Sequence, residues 1–261
     1  MHEIINTENR KLSLYLTITC SGKKSFRVWA EDYGKKNSKY ADRTITVDGK
    51  RTIFINFPVS PRQIFVGCLN ASNPSDKDFT VSIEERPLQD YNIALDADTL
   101  DFLQLAIQFS QVCGFKLPEQ GGTVYQTADD KFRIKYMPVI IDYKTGSAMS
   151  TPARIGHSTG IIEVAAAKFV KYTIPMRIAI LLHEYSHKYK NPKIGLEIGN
   201  EIGADINALY IYLGLGFSKI DAICVFGNVF LKAQTPQNQE RMRKIMDYIN
   251  KFENQEFAKL K

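Results

Sequence analysis

The period of the apolar residues changes near residue 90, and this constrains the fold of the 261-residue chain more than any other feature. Strands send side chains to alternate faces, whereas helices return them to one face every three or four residues. Before residue 90 the alternation is strict. Leu12, Leu14, Leu16, Ile18 and Cys20 share one face of a strand, with Ser13, Tyr15, Thr17 and Thr19 on the other. Further strands are expected at about 25–31, 43–48, 51–57, 63–69 and 78–84, with Asp48-Gly49 as a tight turn between two of them. Short strands at this spacing imply an antiparallel β-sandwich over residues 1–90, a module for binding, docking or assembly. The expected fold class is therefore α+β, with a second domain over 91–261.

In that second part, Asp96 or Asp98 can cap a helix carrying Leu100, Leu103, Ile107 and Phe109, which Gly114 ends. Short strands are expected around Val124, from Phe132 to Tyr143, and from Ala153 to Val164, the last interrupted by His157-Ser158-Thr159-Gly160. This last segment is either a cleft-lining strand that pairs with an extended peptide or a buried hairpin under the next helix. Two closing helices follow. Ser218 to Lys232 carries Ile220, Ile223, Val225 and Phe230, and Pro236 to Lys259 carries Met242, Ile245, Met246, Ile249 and Phe252.

Between these lies the stretch that states a chemistry, His183-Glu184-Tyr185-Ser186-His187. Thr173 can cap its helix, Pro175 suits the first turn, and Ile178, Leu181, Leu182, Tyr185 and Tyr189 form an apolar stripe before Asn191-Pro192. Residues four apart return to nearly the same side of a helix. His183 and His187 can therefore aim two imidazoles at one point with Glu184 beside them, the arrangement H-E-x-x-H uses to hold zinc next to a general base. Two of only four histidines in the chain fall at this spacing, which argues against coincidence. Fourteen residues after His187 comes Glu201, opening Glu201-Ile202-Gly203-Ala204-Asp205 on a second helix that continues through Leu209 and Tyr212.

H-E-x-x-H followed by E-x-x-A-D resembles the gluzincin metallopeptidases, such as thermolysin and the M48 type, over roughly residues 150 to 215. The resemblance implies a zincin-like domain and zinc-dependent hydrolysis of peptide bonds in a polypeptide substrate. It makes His183, His187 and Glu201 zinc ligands, Glu184 the general base, and Asp205 the carboxylate that orients a ligand histidine. Residues four apart on a helix share a face, so Glu201 can reach a metal while Asp205 accepts an imidazole N–H. Gly203 and Ala204 are small enough to let the helices approach. Lys190 and Lys193 stand where a metzincin would need Gly and His, and Glu197 remains a rival third ligand. For stabilising an oxyanion the available donors are Tyr210, Tyr212 and His157, although tyrosines on an apolar helix are more often core. Zincin-like domains of this size also resemble proteins of tailed phages. A structural or virion assembly role, docked to a protein partner by the β-module, is the alternative to an active peptidase.

Composition narrows the partners. The net charge of +6 is diffuse, with 14 Lys and Arg against 11 Asp and Glu in residues 1–90 and 20 against 17 beyond, so no nucleic-acid partner is expected. The densest basic stretch, Lys23 to Lys39, reads as a solvated sheet edge. No apolar run approaches the roughly 18 residues of a membrane span, and the first residues lack the pattern of a signal peptide, so a cytoplasmic or virion-associated protein is expected. Cys20, Cys68, Cys113 and Cys224 are widely spaced and read as reduced.

Overall fold

The computed structural model describes residues 1–88, 91, 93–189, 201–231 and 233–259, the last seven as backbone alone. The chain is α+β and divides into two compact units, Met1–Asp90 and Tyr91–Lys261.

The first unit is one antiparallel sheet of β1 (His2–Asn6), β2 (Leu12–Asp32), β3 (Lys39–Phe57), β4 (Gln63–Asn70) and β5 (Phe79–Pro87). Its centre is the long β2–β3 hairpin. The first half of β2 runs beside β5 and its second half beside β4, while β3 follows it throughout. Four of the expected strands are thus halves of two continuous ones. Asp48-Gly49 is not a hairpin turn. Thr19 pairs with Lys50 and Lys23 with Asp48, so a bulge of Cys20, Ser21 and Gly22 faces Gly49 alone. Gly22 and Gly49, at φ of 65° and 70°, take up a bend that other residues adopt only with strain. Tyr40 and Phe57 stand 17 residues apart on β3, about 56 Å along a straight strand, yet their rings are 5.5 Å apart. The sheet therefore doubles back over Leu14, Leu16, Ile18, Phe26, Val28, Val47 and Val66, all buried.

The basic stretch is only partly a sheet edge: Lys39 opens β3, which among the described strands pairs with β2 alone. Residues 26–32 lie between β3 and β4, and their neighbourhood is neutralised across strands. Arg27 makes a fork of two 2.8 Å bonds to Asp42, and Lys24 reaches Asp76 at 2.9 Å.

The second unit packs α1 (Ala97–Val112) and a four-stranded sheet around α3 (Ile174–Ser186). The strands β6 (Thr123–Gln126), β7 (Arg133–Met137), β8 (Ala153–Ile155) and β9 (Ile162–Ala165) lie in the order β6-β7-β9-β8, which makes β8 an edge. The Ala153–Val164 segment is thus a hairpin whose first arm keeps one side free of its own sheet. The short α2 (Ala166–Phe169) precedes α3, and α4 (Glu201–Gly214), α5 (Lys219–Val225) and α6 (Pro236–Lys259) follow.

Asp96 caps α1 by accepting from the Thr99 N–H, but the buried face is Thr99, Phe102, Leu103, Ala106 and Phe109, leaving Leu100 half exposed. The helix rotates this way because Phe102 stacks on Tyr185 at 4.2 Å and Thr99 bonds the same tyrosine's hydroxyl. Ser218 to Phe230 is α5 followed by a π-helical turn, Phe226–Phe230, and Ile220 faces outward. Arg177, fully buried on α3, donates to the carbonyls of Ser110 and Val170 and ties α3 to the ends of α1 and α2. None of the four cysteines is in a disulfide; burial pushes the thiols of Cys68 and Cys113 up to about 11. No described helix is long and apolar enough to cross a membrane.

Candidate metal centre

The helix that carries His183 starts as its residues dictate. Thr173 accepts from the Met176 N–H, and Pro175 occupies the first turn, where a missing N–H goes unused. Nearly every position from Ile174 to Ser186 is buried, so α3 is the central helix of its unit. His187 is its C-cap and keeps right-handed helical dihedrals, φ −67° and ψ −28°, which preserves the four-residue spacing to His183. The second helix is pinned alongside by Asn207, whose amide donates to Ser186 Oγ at 2.8 Å, while Gly203 and Ala204 are buried.

This packing brings the two histidines and Glu201 together. His183 Nε2 and His187 Nε2 are 3.1 Å apart. Glu201 Oε2 lies 3.6 Å from the first and Oε1 3.7 Å from the second. Donors bound at about 2.0–2.1 Å to a tetrahedral ion stand about 3.3 Å from one another, so these separations fit a common metal. The donor chemistry fits as well. Two imidazole nitrogens facing at 3.1 Å are both acceptors unless one carries a proton, and a cation between them removes the conflict. His183, His187 and Glu201 can therefore hold a metal ion. Glu197, Lys190, Lys193 and Asn191-Pro192 fall outside the described residues.

Asp205 is fully buried, and its Oδ1 lies 3.0 Å from His183 Nδ1. The approach is off the ring's N–H axis, close enough for attraction but short of a well-aligned hydrogen bond. Burial disfavours charge on His183, but Asp205, with Glu184 and Glu201, outweighs it and raises the imidazole pKa. Burial and the neighbouring His183 both lower that of His187. Glu184 is 7% exposed. Burial pushes its carboxyl upward, against the pull of His183 and of a hydrogen bond accepted from the Ile155 N–H.

His183, Glu184, His187 and Glu201 open on one cleft of about 510 Å³, walled by Ala153, Arg154 and Ile155 of β8 and by Val229 and Phe230 of the π-helical turn. Phe230 lies against the His183 ring at 4.1 Å between centroids. His157 also lines the cleft, its ring 6.3 Å from that of His187. Neither Tyr210 nor Tyr212 lines it among the described residues, and Tyr212 is a core residue stacked on Phe217. Sequence reasoning missed Arg241, which enters from α6 and touches both Glu201 and Asp205. It also missed Val229 and Phe230 as cleft walls. π-helical turns are frequent at functional sites, but nothing in the local residues announces this one. Compared with known families, characterised proteins and solved structures, the chain has no significant match.

Proposed function

We propose that the chain is a zinc-dependent endopeptidase of zincin type, its peptidase domain following a β-sandwich-like docking module. The reading is carried by one observation: a buried carboxylate, Glu184, shares the cleft with a group of three other donors that could hold a metal ion. His183, His187 and Glu201 would hold zinc, which suits two imidazoles and one carboxylate. Zinc in such a site supplies a Lewis acid that polarises a carbonyl and acidifies water. Glu184 accepts the proton of the attacking water and returns it to the leaving amine, a role supported by its place in the same cleft as the three donors. Asp205 holds the His183 ring with Nε2 toward the cluster. β8 is an edge of its sheet, with its Ile155 N–H given to Glu184 and its Ala153 carbonyl to Thr151, and an extended polypeptide aligned along the rest of that edge would be gripped through main-chain groups with little sequence preference. Arg154 on that strand is braced by Glu163 at 2.7 Å, so the wall is ordered before a substrate arrives.

The test is digestion of a diverse peptide library by the purified full chain. Cleavage that a chelator abolishes and added zinc restores supports the reading. A folded, zinc-loaded chain that leaves the library intact refutes it and favours a docking or virion assembly scaffold.

A further inference from the structure

Arg241 lies on α6, 36 residues beyond Asp205, outside any motif the sequence offers, and is 7% exposed. Its guanidinium forks onto Asp205, Nε to Oδ2 at 2.8 Å and Nη2 to Oδ1 at 2.9 Å. The same Nη2 lies 3.1 Å from Glu201 Oε2. One planar cation thus spans both carboxylates of α4. One of them backs His183, and the other faces both Nε2 atoms. The two carboxylates differ in how far the fold restrains them: the Asp205 side chain is 1% exposed, but that of Glu201 is 43% exposed. A long, half-exposed glutamate loses much rotamer freedom when it commits to one geometry, so as a ligand it needs a tether.

Resting on the metal-centre reading above, we infer that Arg241 is a positioning residue of that centre. It fixes Glu201 against the two imidazoles by holding Oε2, and it leaves Oε1 as the oxygen its guanidinium does not engage. By bridging to Asp205 it locks the ligand and the carboxylate behind His183 into one unit, and so makes α6 part of the metal site. A guanidinium can do this because its donors are coplanar and fixed in a fork. A lysine ammonium keeps the charge but cannot match two carboxylates at once.

The experiment is a competition titration of zinc against a chromophoric chelator, with Co²⁺ absorption reporting coordination geometry. It compares wild type, Arg241→Lys, Asp205→Asn, and the double variant Arg241→Met/Asp205→Asn. Arg241→Lys retains a cation and the double variant leaves no bare buried charge, so both are suited to folding, which circular dichroism checks. Arg241→Lys should weaken zinc by about 10–100-fold and alter the Co²⁺ bands, as loss of a partner behind a ligand does. The double variant should bind more weakly than Asp205→Asn alone, because Glu201 has lost its tether. Wild-type affinity and spectrum in Arg241→Lys overturn the role. So does a double variant indistinguishable from Asp205→Asn, and this second comparison decides alone if the lysine variant fails to fold. Wild type that takes up neither metal overturns the centre itself, a result distinct from both.

Discussion

Glu184→Gln separates holding a metal from using it. The side chain is 7% exposed and accepts from the Ile155 N–H. Glutamine has the same shape, and its carbonyl oxygen can keep that bond. Because burial raises the Glu184 pKa, the fold disfavours the carboxylate, and a neutral amide removes that cost. Folding should therefore be unharmed, and zinc content should stay at wild-type level because residue 184 is not a ligand. Only the proton-transfer role disappears. General-base catalysis contributes about 10²–10⁴-fold, which at 1.36 kcal/mol per decade is about 3–5 kcal/mol of barrier. The assay is the turnover of a quenched fluorescent peptide at saturating zinc, alongside metal analysis and a thermal melt of the same preparation. Loss of zinc in the glutamine variant would refute the assignment by making Glu184 a ligand. Zinc-loaded protein with turnover within tenfold of wild type would refute it by making Glu184 a bystander.

Purified wild type should carry about one zinc per chain, and His183→Ala or His187→Ala should lose it; plasma emission analysis of the three proteins decides this. Glu201→Ala should strongly weaken zinc in a chelator competition and Glu197→Ala should leave it nearly unchanged, and the reverse order would show that the third ligand is wrongly placed. In the β-module, the hydrogen-bonded fork from Arg27, aided by Lys39, holds the Asp42 carboxyl down to about 2. A depressed carboxylate contributes stability that is full above its unfolded value, near 3.9, and lost as pH falls through its folded one. Asp42→Asn should thus lower the free energy of urea unfolding at pH 6, by about 1 kcal/mol or less for a half-buried pair, with the gap shrinking as pH falls toward 2 and closing below it. A gap at pH 2 as large as that at pH 6 would exclude the ion pair as its cause.

Local signals carried far along this chain where they act over a few residues. Alternation marks the strand through Leu12 to Cys20, and caps mark Asp96 and Thr173, because each of these is decided by immediate neighbours. The spacing of His183 and His187 is legible for the same reason. Where a long-range choice decides, the residues are ambiguous. A glycine at positive φ serves a hairpin or a bulge equally well, and only the pairing of β2 with β3, β4 and β5 makes Gly49 a bend in a continuous strand. The phase of α1 fails for Leu100 because a helix face is chosen by its partner, here Tyr185 and Phe132. Arg241 sits among other charged residues on α6, where an arginine reads as a solvated face. Its burial depends on two carboxylates that come from another helix.

The same distinction bears on enzyme against scaffold. A zinc ion kept only to brace a fold is served by four protein ligands that close its coordination, whereas a catalytic one keeps three and leaves a position open. Among the described residues the cluster has three donors, and they face a cleft. A brace also gains nothing from Glu184, whose carboxylate is costly to bury and stands outside the three-donor group. The Glu197 variant therefore answers two questions. If Glu197→Ala and Glu201→Ala both strip the metal, the site is closed by four protein ligands and the scaffold follows. If only Glu201→Ala does, the fourth position stays open, and a buried base beside an open position has its best explanation in hydrolysis.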